Sequence, residues 1–267
     1  MKVIVFHSYK GGTGKTTLAL NTAVNLARRG FKTLVIDADL NAPTFDSIFP
    51  NITPKYRFNE LFEKSAAGEE EKNIPKPSDL PTNSGFDSRL DIVFADPKPK
   101  FGQGLLSMDK TFHAEALKKL VETKKEFEKL GYDYLVMDTS PSMSLASINA
   151  IIIADATIMV LRPNQYGISG TTFLFKELYS MLGTVKRKDF MIFNQVVPGT
   201  PKKFITDWER HFKKKLNVET IGVILCNCGI ALNLLHGKLI MEDPANIKFV
   251  QTMNTIVDNL IKELSKE

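Results

Sequence analysis

The stretch "SYKGGTGKTT", residues 8–17, constrains this chain more than any other ten residues. Three glycines, Gly11, Gly12 and Gly14, follow the apolar run "VIVF" and precede the helical pattern "KTTLALNTAVNLA". A strand, a glycine turn and a helix in that order make backbone N–H groups converge at the positive end of a helix dipole, which is a cradle for anionic oxygen. Lys15 and Thr16 close the motif with an ammonium that can reach β- and γ-phosphates and a hydroxyl suited to Mg²⁺; Thr13 and Thr17 complete the loop. The standard spacing, G-x-x-x-x-G-K-[ST], calls for glycine at position 9. Here that position is Tyr9, and a second lysine, Lys10, stands beside Gly11.

Around the loop the hydrophobic pattern alternates between strand and helix. Strands are expected at Lys2–His7, Lys32–Asp37, Leu90–Ala95, Tyr134–Asp138, Thr157–Leu161, Asp189–Asn194 and Thr220–Leu225. Helical spacing is expected near 15–29, 112–130, 144–153, 168–184, 201–216 and 245–265. Runs such as "TLVID" and "YLVMD" are apolar almost throughout, as befits strands covered on both faces. The pattern therefore predicts a single doubly wound α/β domain over 1–267, a mostly parallel sheet with helices on both faces. Residues 63–85, "EKSAAGEEEKNIPKPSDLPTNSG", break it with charge, proline and small residues, and are expected to form a surface insertion.

Composition, 43% hydrophobic and 24% charged, is that of an ordinary globular domain. The apolar start is too short for a signal-peptide core. The stretch Leu145–Leu161 is interrupted by Asn149 and Asp155 and reads as helix, turn and strand rather than a membrane span. Two cysteines and no secretion signal predict a reducing, cytoplasmic setting.

Three further segments end apolar strands in chemistry-bearing residues. "TLVIDADLNAPT" places Asp37 and Asp39 two apart; such carboxylates can orient a water beside a metal and a phosphate, or simply cap a turn. "YDYLVMDTSPSMS" delivers Asp138, which suits Mg²⁺ held through water or the cap of the helix that follows. "FMIFNQVV" carries Asn194, whose amide can donate to and accept from a base edge, or form a turn. Lys10 is either a solvated loop lysine or a second cation that offsets charge on a transferring phosphoryl group.

Taken in order, and over nearly the whole chain, these segments resemble the ParA/MinD family of deviant Walker A P-loop ATPases. The hallmark of that family is a lysine beside the first glycine of K-G-G-x-G-K-[ST]. The resemblance implies that residues 11–17 bind ATP and that Lys15 contacts its phosphates. It implies that Lys10 reaches across an ATP-sandwiched homodimer to the partner's nucleotide. By the same resemblance Asp39 positions or activates the attacking water, Thr16 and Asp138 hold Mg²⁺ with Asp37 supporting its shell, residues 139–142 form a switch segment, and Asn194 reads adenine. Cys226 and Asn227 fall on the adenine rim, where Leu225 replaces a usual proline, and Ser140 stands where the family often has a first proline. The implied function is a slow, partner-stimulated ATPase that switches by dimerising, in chromosome or plasmid partitioning or in positioning another cargo. Its activator is not identified by any residue.

Other features bear on which cargo. Net charge is +5, with basic runs at Lys186, Arg187 and Lys188, at Lys202 and Lys203, and at Arg210, Lys213, Lys214 and Lys215. They suit non-specific DNA binding as in ParA-type relatives, or equally a solvated charged face. Cys226 and Cys228 form a C-x-C pair, which suits either small packing residues or, in a metallocentre-insertion ATPase, metal; His7, His113, His211 and His236 show no ligand spacing. MinD-type relatives bind lipid through a basic amphipathic tail. Here the stripe Ile247, Val250, Met253, Val257, Leu260, Ile261 and Leu264 is expected to pack on the sheet, which disfavours membrane association. A nucleotide-dependent module that does not hydrolyse would have no need of Lys10, Lys15, Asp39 and Asp138 together.

Overall fold

The computed structural model describes residues 1–62, 74–97, 110–182, 187–230 and 246–266. Its strands are β1 (Lys2–His7), β2 (Thr33–Ala38), β3 (Thr82–Asn83), β4 (Leu90–Val93), β5 (Tyr134–Thr139), β6 (Ala156–Leu161), β7 (Lys188–Val196) and β8 (Glu219–Leu225). The main helices are α1 (Lys15–Arg28), the single turn α2 (Phe45–Ile48), α3 (Lys110–Lys129), α4 (Leu145–Ile152), α5 (Gln165–Leu182), α6 (Lys202–Leu216) and α7 (Ile247–Leu264).

The strands form one eight-stranded sheet in the order β3–β4–β2–β5–β1–β6–β7–β8. Among the described residues only β3 runs antiparallel, at the edge against β4. Alternation of side chains along each strand divides the core in two. Ile4 and Phe6 of β1, Val136 of β5 and Ile158 of β6 face α1 and α7, meeting Leu18, Leu26, Met253 and Leu260. Val3, Val5, Leu135, Met137 and Met159 face the other way, onto Leu120 and Phe127 of α3, Ile148 of α4, Phe175 of α5 and Phe212 of α6. Both faces are covered, so the central strands are apolar almost throughout, as the sequence predicts.

The doubly wound sheet is the expected one, with each predicted strand and helix found to within a few residues. The expected insertion needs correction in its second half. Residues 63–73 lie outside the described residues, but from 74 onward the chain belongs to the fold: a 3-10 turn spans Pro77–Asp79, Leu80 is fully buried, and Thr82–Asn83 is the edge strand β3. Charge and proline concealed it because an edge strand of two residues needs no hydrophobic run.

The stripe on α7 packs as expected, though rotated. Phe249 and Ile256 are buried with Met253, Val257, Leu260 and Leu264, whereas Ile247 is exposed. Gly222 of β8 lets Ile256 approach, since a Cβ there would lie 2.4 Å from the Ile256 Cδ1. Among the described residues no helix is long and apolar enough to cross a membrane.

Parallel register brings the strand ends that matter together. Phe6 pairs with Asp138, Asp37 with Asp138, and Ala38 with Thr139. The residues leaving β1, β2 and β5 therefore emerge side by side at the carboxyl edge, where β1 lies between β5 and β6 and the chain's connections diverge to either side. Open α/β sheets bind ligands at such a point.

Candidate functional site

The loop between β1 and α1 bends through two left-handed glycines, Gly12 (φ 75°) and Gly14 (φ 84°). Gly14 is also the N-cap of α1, whose first turn has no side-chain cap and no acidic residue. Helix N-termini commonly recruit Ser, Thr or Asp to satisfy their free N–H groups. Leaving them uncapped, at the positive end of the dipole and with no acidic residue in the helix's own first turn, suits an external anion.

Beneath the loop, Lys15 and Thr16 both hold Asp138. Lys15 Nζ donates to Asp138 Oδ1, and Thr16 Oγ1 donates to Asp138 Oδ2 at 2.5 Å. Lys15 is 6% exposed and Asp138 not at all. Burial pushes the Asp138 carboxyl up; the adjacent Lys15 ammonium and the two hydrogen bonds pull it back, and Asp39 adds to the rise. Charge compensation by Lys15 is what makes a carboxylate tolerable there. A hydroxyl and a carboxylate beside a phosphate cradle are hard oxygen donors of the kind Mg²⁺ takes, so this chain's residues fit the ion.

The two carboxylates after β2 have different surroundings. Asp39 Oδ1 accepts from Ser140 Oγ at 2.7 Å and from the Asn41 and Ala42 N–H groups at 3.3 and 3.1 Å. Asp39 Oδ2 accepts nothing among the described residues, which leaves one oxygen for a water. Asp37, expected in the magnesium shell, is fully buried and hydrogen-bonded. Its Oδ1 accepts from Asp39 N at 3.1 Å, and its Oδ2 from Thr44 N at 2.8 Å and Phe45 N at 3.1 Å, where α2 begins. Burial and then the neighbouring Asp138 charge raise its pKa to about 7, against the three N–H bonds. Asp37 thus orders the segment carrying Asp39, and the hydrogen bonds it makes are a backbone-holding task beside the expected support of a magnesium shell.

The segment after β5 is tied to the loop's root. Ser142 N donates to Ser8 O at 2.9 Å, and Ser8 Oγ donates to Lys10 O at 3.0 Å. His7 Nδ1 and Thr139 Oγ1 lie 2.8 Å apart. Burial, and secondly the Lys15 charge, lower the His7 pKa to about 3 despite the opposing Ser142 backbone, so the imidazole is neutral. Sequence reading passed over His7 because a ligand search looks for histidine spacing; its one signal was a polar residue in the last position of an apolar strand.

Asn194 is brought to the loop, but its Nδ2 donates to Thr13 O at 2.7 Å. Gln195, which sequence reading missed, lies next to it with Nε2 3.4 Å from Gly12 O. The amide of Asn194 therefore holds the loop, and its Oδ1 makes no hydrogen bond among the described residues.

Lys10 is exposed; its Nζ is 5.9 Å from the Tyr166 ring centroid and 6.0 Å from that of Tyr9. It makes no hydrogen bond or ion pair with Asp39 or Asp138. Tyr9, where a standard loop has glycine, packs on Gly170 of α5, where a Cβ would fall within 2.1 Å of the ring.

The expected basic footprint shrinks. Lys186 lies outside the described residues. Arg187 pairs with Asp189 at 2.9 Å with its side chain nearly buried, and Lys188 Nζ donates to the Glu263 and Lys266 carbonyls at the end of α7. Both serve the fold: Arg187 neutralises a nearly buried carboxylate, and Lys188 satisfies carbonyls that the last turn of a helix leaves free. Lys213 pairs with Glu219. Lys202, Lys203, Lys214 and Lys215 are exposed along α6. Cys226 and Cys228 are free and exposed, and among the described residues no three His, Cys, Asp or Glu side chains are arranged to hold a metal.

A family description, the CobQ/CobB/MinD/ParA nucleotide-binding domain, matches residues 4–240. An ATP-binding protein of Methanocaldococcus jannaschii is 27% identical over 272 aligned positions, covering 98% of this chain and 89% of its own. The flagellum site-determining protein YlxH of Helicobacter pylori is 26% identical over 272, covering 98% of this chain and 83% of its own. Among solved structures, the septum site-determining protein MinD complexed with Mg-ADP from Pyrococcus horikoshii has the same fold, with a TM-score of 0.73 at 19% identity over 100% of this chain and 99% of that one.

Proposed function

The chain belongs to the CobQ/CobB/MinD/ParA nucleotide-binding family, and from that premise we propose that it is a Mg²⁺-dependent ATPase that dimerises around ATP and acts as a switch in partitioning or positioning a cargo. The observation that carries this reading is the buried trio Lys15, Thr16 and Asp138 under the uncapped start of α1, with Asp39 beside it.

In this mechanism the N–H groups of residues 11–17 receive the phosphate oxygens. Lys15 exchanges Asp138 Oδ1 for a phosphate oxygen, trading one anionic partner for another at the same depth. Thr16 and Asp138 would hold Mg²⁺, which supplies charge neutralisation at the β- and γ-phosphates. Asp39, oriented through Oδ1 by Ser140 and two backbone N–H groups, presents Oδ2 to the attacking water and takes up or orients its proton. Asn194 turns Oδ1 toward the exocyclic amine of adenine. Lys10 makes no bond to its own site and stands exposed, which supports its use by a second copy; charge compensation on the phosphoryl group is then complete only in the dimer. Exposed Lys202, Lys203, Lys214 and Lys215 support duplex DNA as the surface bound, and MinD- and YlxH-named relatives support positioning of another structure as the second reading.

The test is nucleotide binding, phosphate release and mass in solution for the wild type, Lys15→Ala and Asp39→Ala. The reading expects ATP to bind the wild type and Asp39→Ala alike, a persistent ATP dimer only in Asp39→Ala, and neither in Lys15→Ala. Turnover retained in Lys15→Ala would sink it.

A further inference from the structure

His7 and Ser8, the two residues that lead into the glycine loop, grip both ends of the segment that orients Asp39. Thr139 Oγ1 lies 2.9 Å from the Phe6 carbonyl oxygen and 2.8 Å from His7 Nδ1. A carbonyl only accepts, so the single hydroxyl proton of Thr139 goes to Phe6 and the hydroxyl accepts from His7. This fixes the imidazole proton on Nδ1. At the far end of the segment, Ser142 N donates to Ser8 O, and Ser142 is held at φ 69°, in the left-handed region that non-glycine residues rarely occupy. Between the two grips, Ser140 Oγ donates to Asp39 Oδ1 and Ser140 O accepts from Ser147 Oγ of α4.

We propose that His7 is a positioning residue for hydrolysis: by holding Thr139 it passes movement of the nucleotide loop to Ser140, and so sets the direction in which Asp39 points. This rests on the ATPase reading of the same site. Packing alone does not account for a histidine here. The preceding residues of β1, Val3 to Phe6, are apolar and fully buried, and a leucine would continue them. Among the described residues His7 Nε2 is buried and completes no hydrogen bond, although the Ser142 backbone favours a proton on the ring, and an apolar side chain would carry no such cost. The loop, the switch segment and Asp39 lie on three different strand ends, β1, β5 and β2. Of the described side chains, His7 and Ser8 are those of the loop's root that make hydrogen bonds, and the His7 bond goes directly to the switch segment.

The experiment compares His7→Leu, His7→Asn, Thr139→Val and the His7→Leu/Thr139→Val double variant with the wild type. It reads the Kd of a fluorescent ATP analogue, kcat and KM for ATP, and amide hydrogen exchange over residues 139–147 with ATP and with ADP. His7→Leu is expected to bind the analogue within about twofold of wild type, lose roughly tenfold in kcat, and lose the ATP-dependent change in exchange. His7→Asn, whose Nδ2–H stands where the Nδ1–H does, should recover most of both. The double variant should be no slower than Thr139→Val, since the two side chains act through one bond. Wild-type kcat and exchange in His7→Leu, or losses that multiply in the double variant, would overturn the proposal. Should His7→Leu fail to fold, the pair His7→Asn and Thr139→Val decides, an equal loss in both being the overturning result. A wild-type chain that binds no nucleotide would overturn the ATPase reading itself, and this proposal with it.

Discussion

Asp37 and Asp39 are two residues apart and have the same side chain, yet one is buried under three N–H donors and the other keeps an open oxygen. Their substitutions should separate accordingly. Asp39→Ala is expected to lower kcat by roughly 10²-fold or more with nucleotide Kd little changed, measured by phosphate release, because the water loses its partner while the glycine loop keeps its own contacts. Asp37→Asn should act on stability through pH. Its pKa is raised in the folded chain from the ordinary carboxylate value to about 7. The folded state therefore binds more protons between about pH 4 and 7, and wild-type stability falls as pH rises through that window. His7 has the opposite tilt: its pKa is lowered to about 3, so stability is present above about pH 6.5 and lost as pH falls below it. Relative to wild type, the Tm of Asp37→Asn should improve as pH rises from 4 to 7, and that of His7→Asn should improve as pH falls from 6.5 to 5. A slope of the opposite sign in either variant would contradict that assignment.

At the scale of elements, the loop is held from the far side of the sheet by the end of β7. Successive side chains on a strand point to opposite faces. Asn194 and Gln195 nonetheless both reach loop carbonyls, because Gln195 adopts φ 56° where the register with β8 shifts. Asn194→Ala should raise KM for ATP several-fold, and Gly14→Ala should abolish binding, since its Cβ would lie 2.3 Å from Asn194 Nδ2 in a left-handed backbone. Initial rates across ATP concentrations measure the first, and nucleotide titration by calorimetry the second. Helix α7 gives a second prediction at this scale. Met253 is fully buried against the sheet, so Met253→Ala should cost about 2–5 kcal/mol in denaturant unfolding. Vesicle binding, were α7 a lipid anchor, would fall with it; the packing of the stripe predicts no such dependence.

For the whole molecule, charge alone does not locate a DNA surface. Arg187 and Lys188 belong to the fold's own ion pairs and helix caps, whereas Lys202, Lys203, Lys214 and Lys215 are exposed on α6. Duplex DNA binding by Asp39→Ala should require ATP rather than ADP and weaken steeply with salt. Replacing the four α6 lysines by glutamine should reduce the slope of log K against log salt by about 0.9 for each phosphate no longer neutralised. Replacing Lys188 should lower Tm and leave the slope unchanged. An ATP-trapped dimer indifferent to DNA at low salt would direct the search to a protein or membrane cargo.

The sequence by itself determined the fold class, the order of all strands and helices but the short β3 and α2, and the residues of the loop, because these follow from local signals: an apolar period, glycines at a turn, a lysine and threonine opening a helix. It also placed Asp37, Asp39, Asp138 and Asn194 at strand ends. What each of them does was decided by the tertiary structure. Parallel register set Asp37 beside Asp138, and three backbone N–H groups hold its carboxylate. A backbone irregularity turned Gln195 onto the loop beside Asn194, and other partners drew Arg187 and Lys188 out of the basic surface. Each of these rests on hydrogen bonds or ion pairs whose partners were brought together by strand pairing or by a local change of backbone, and neither hydrophobic period nor residue type carries that information. His7 is the clearest instance: in the sequence it is one polar residue at the end of an apolar run, and only the neighbouring strand gives it a partner.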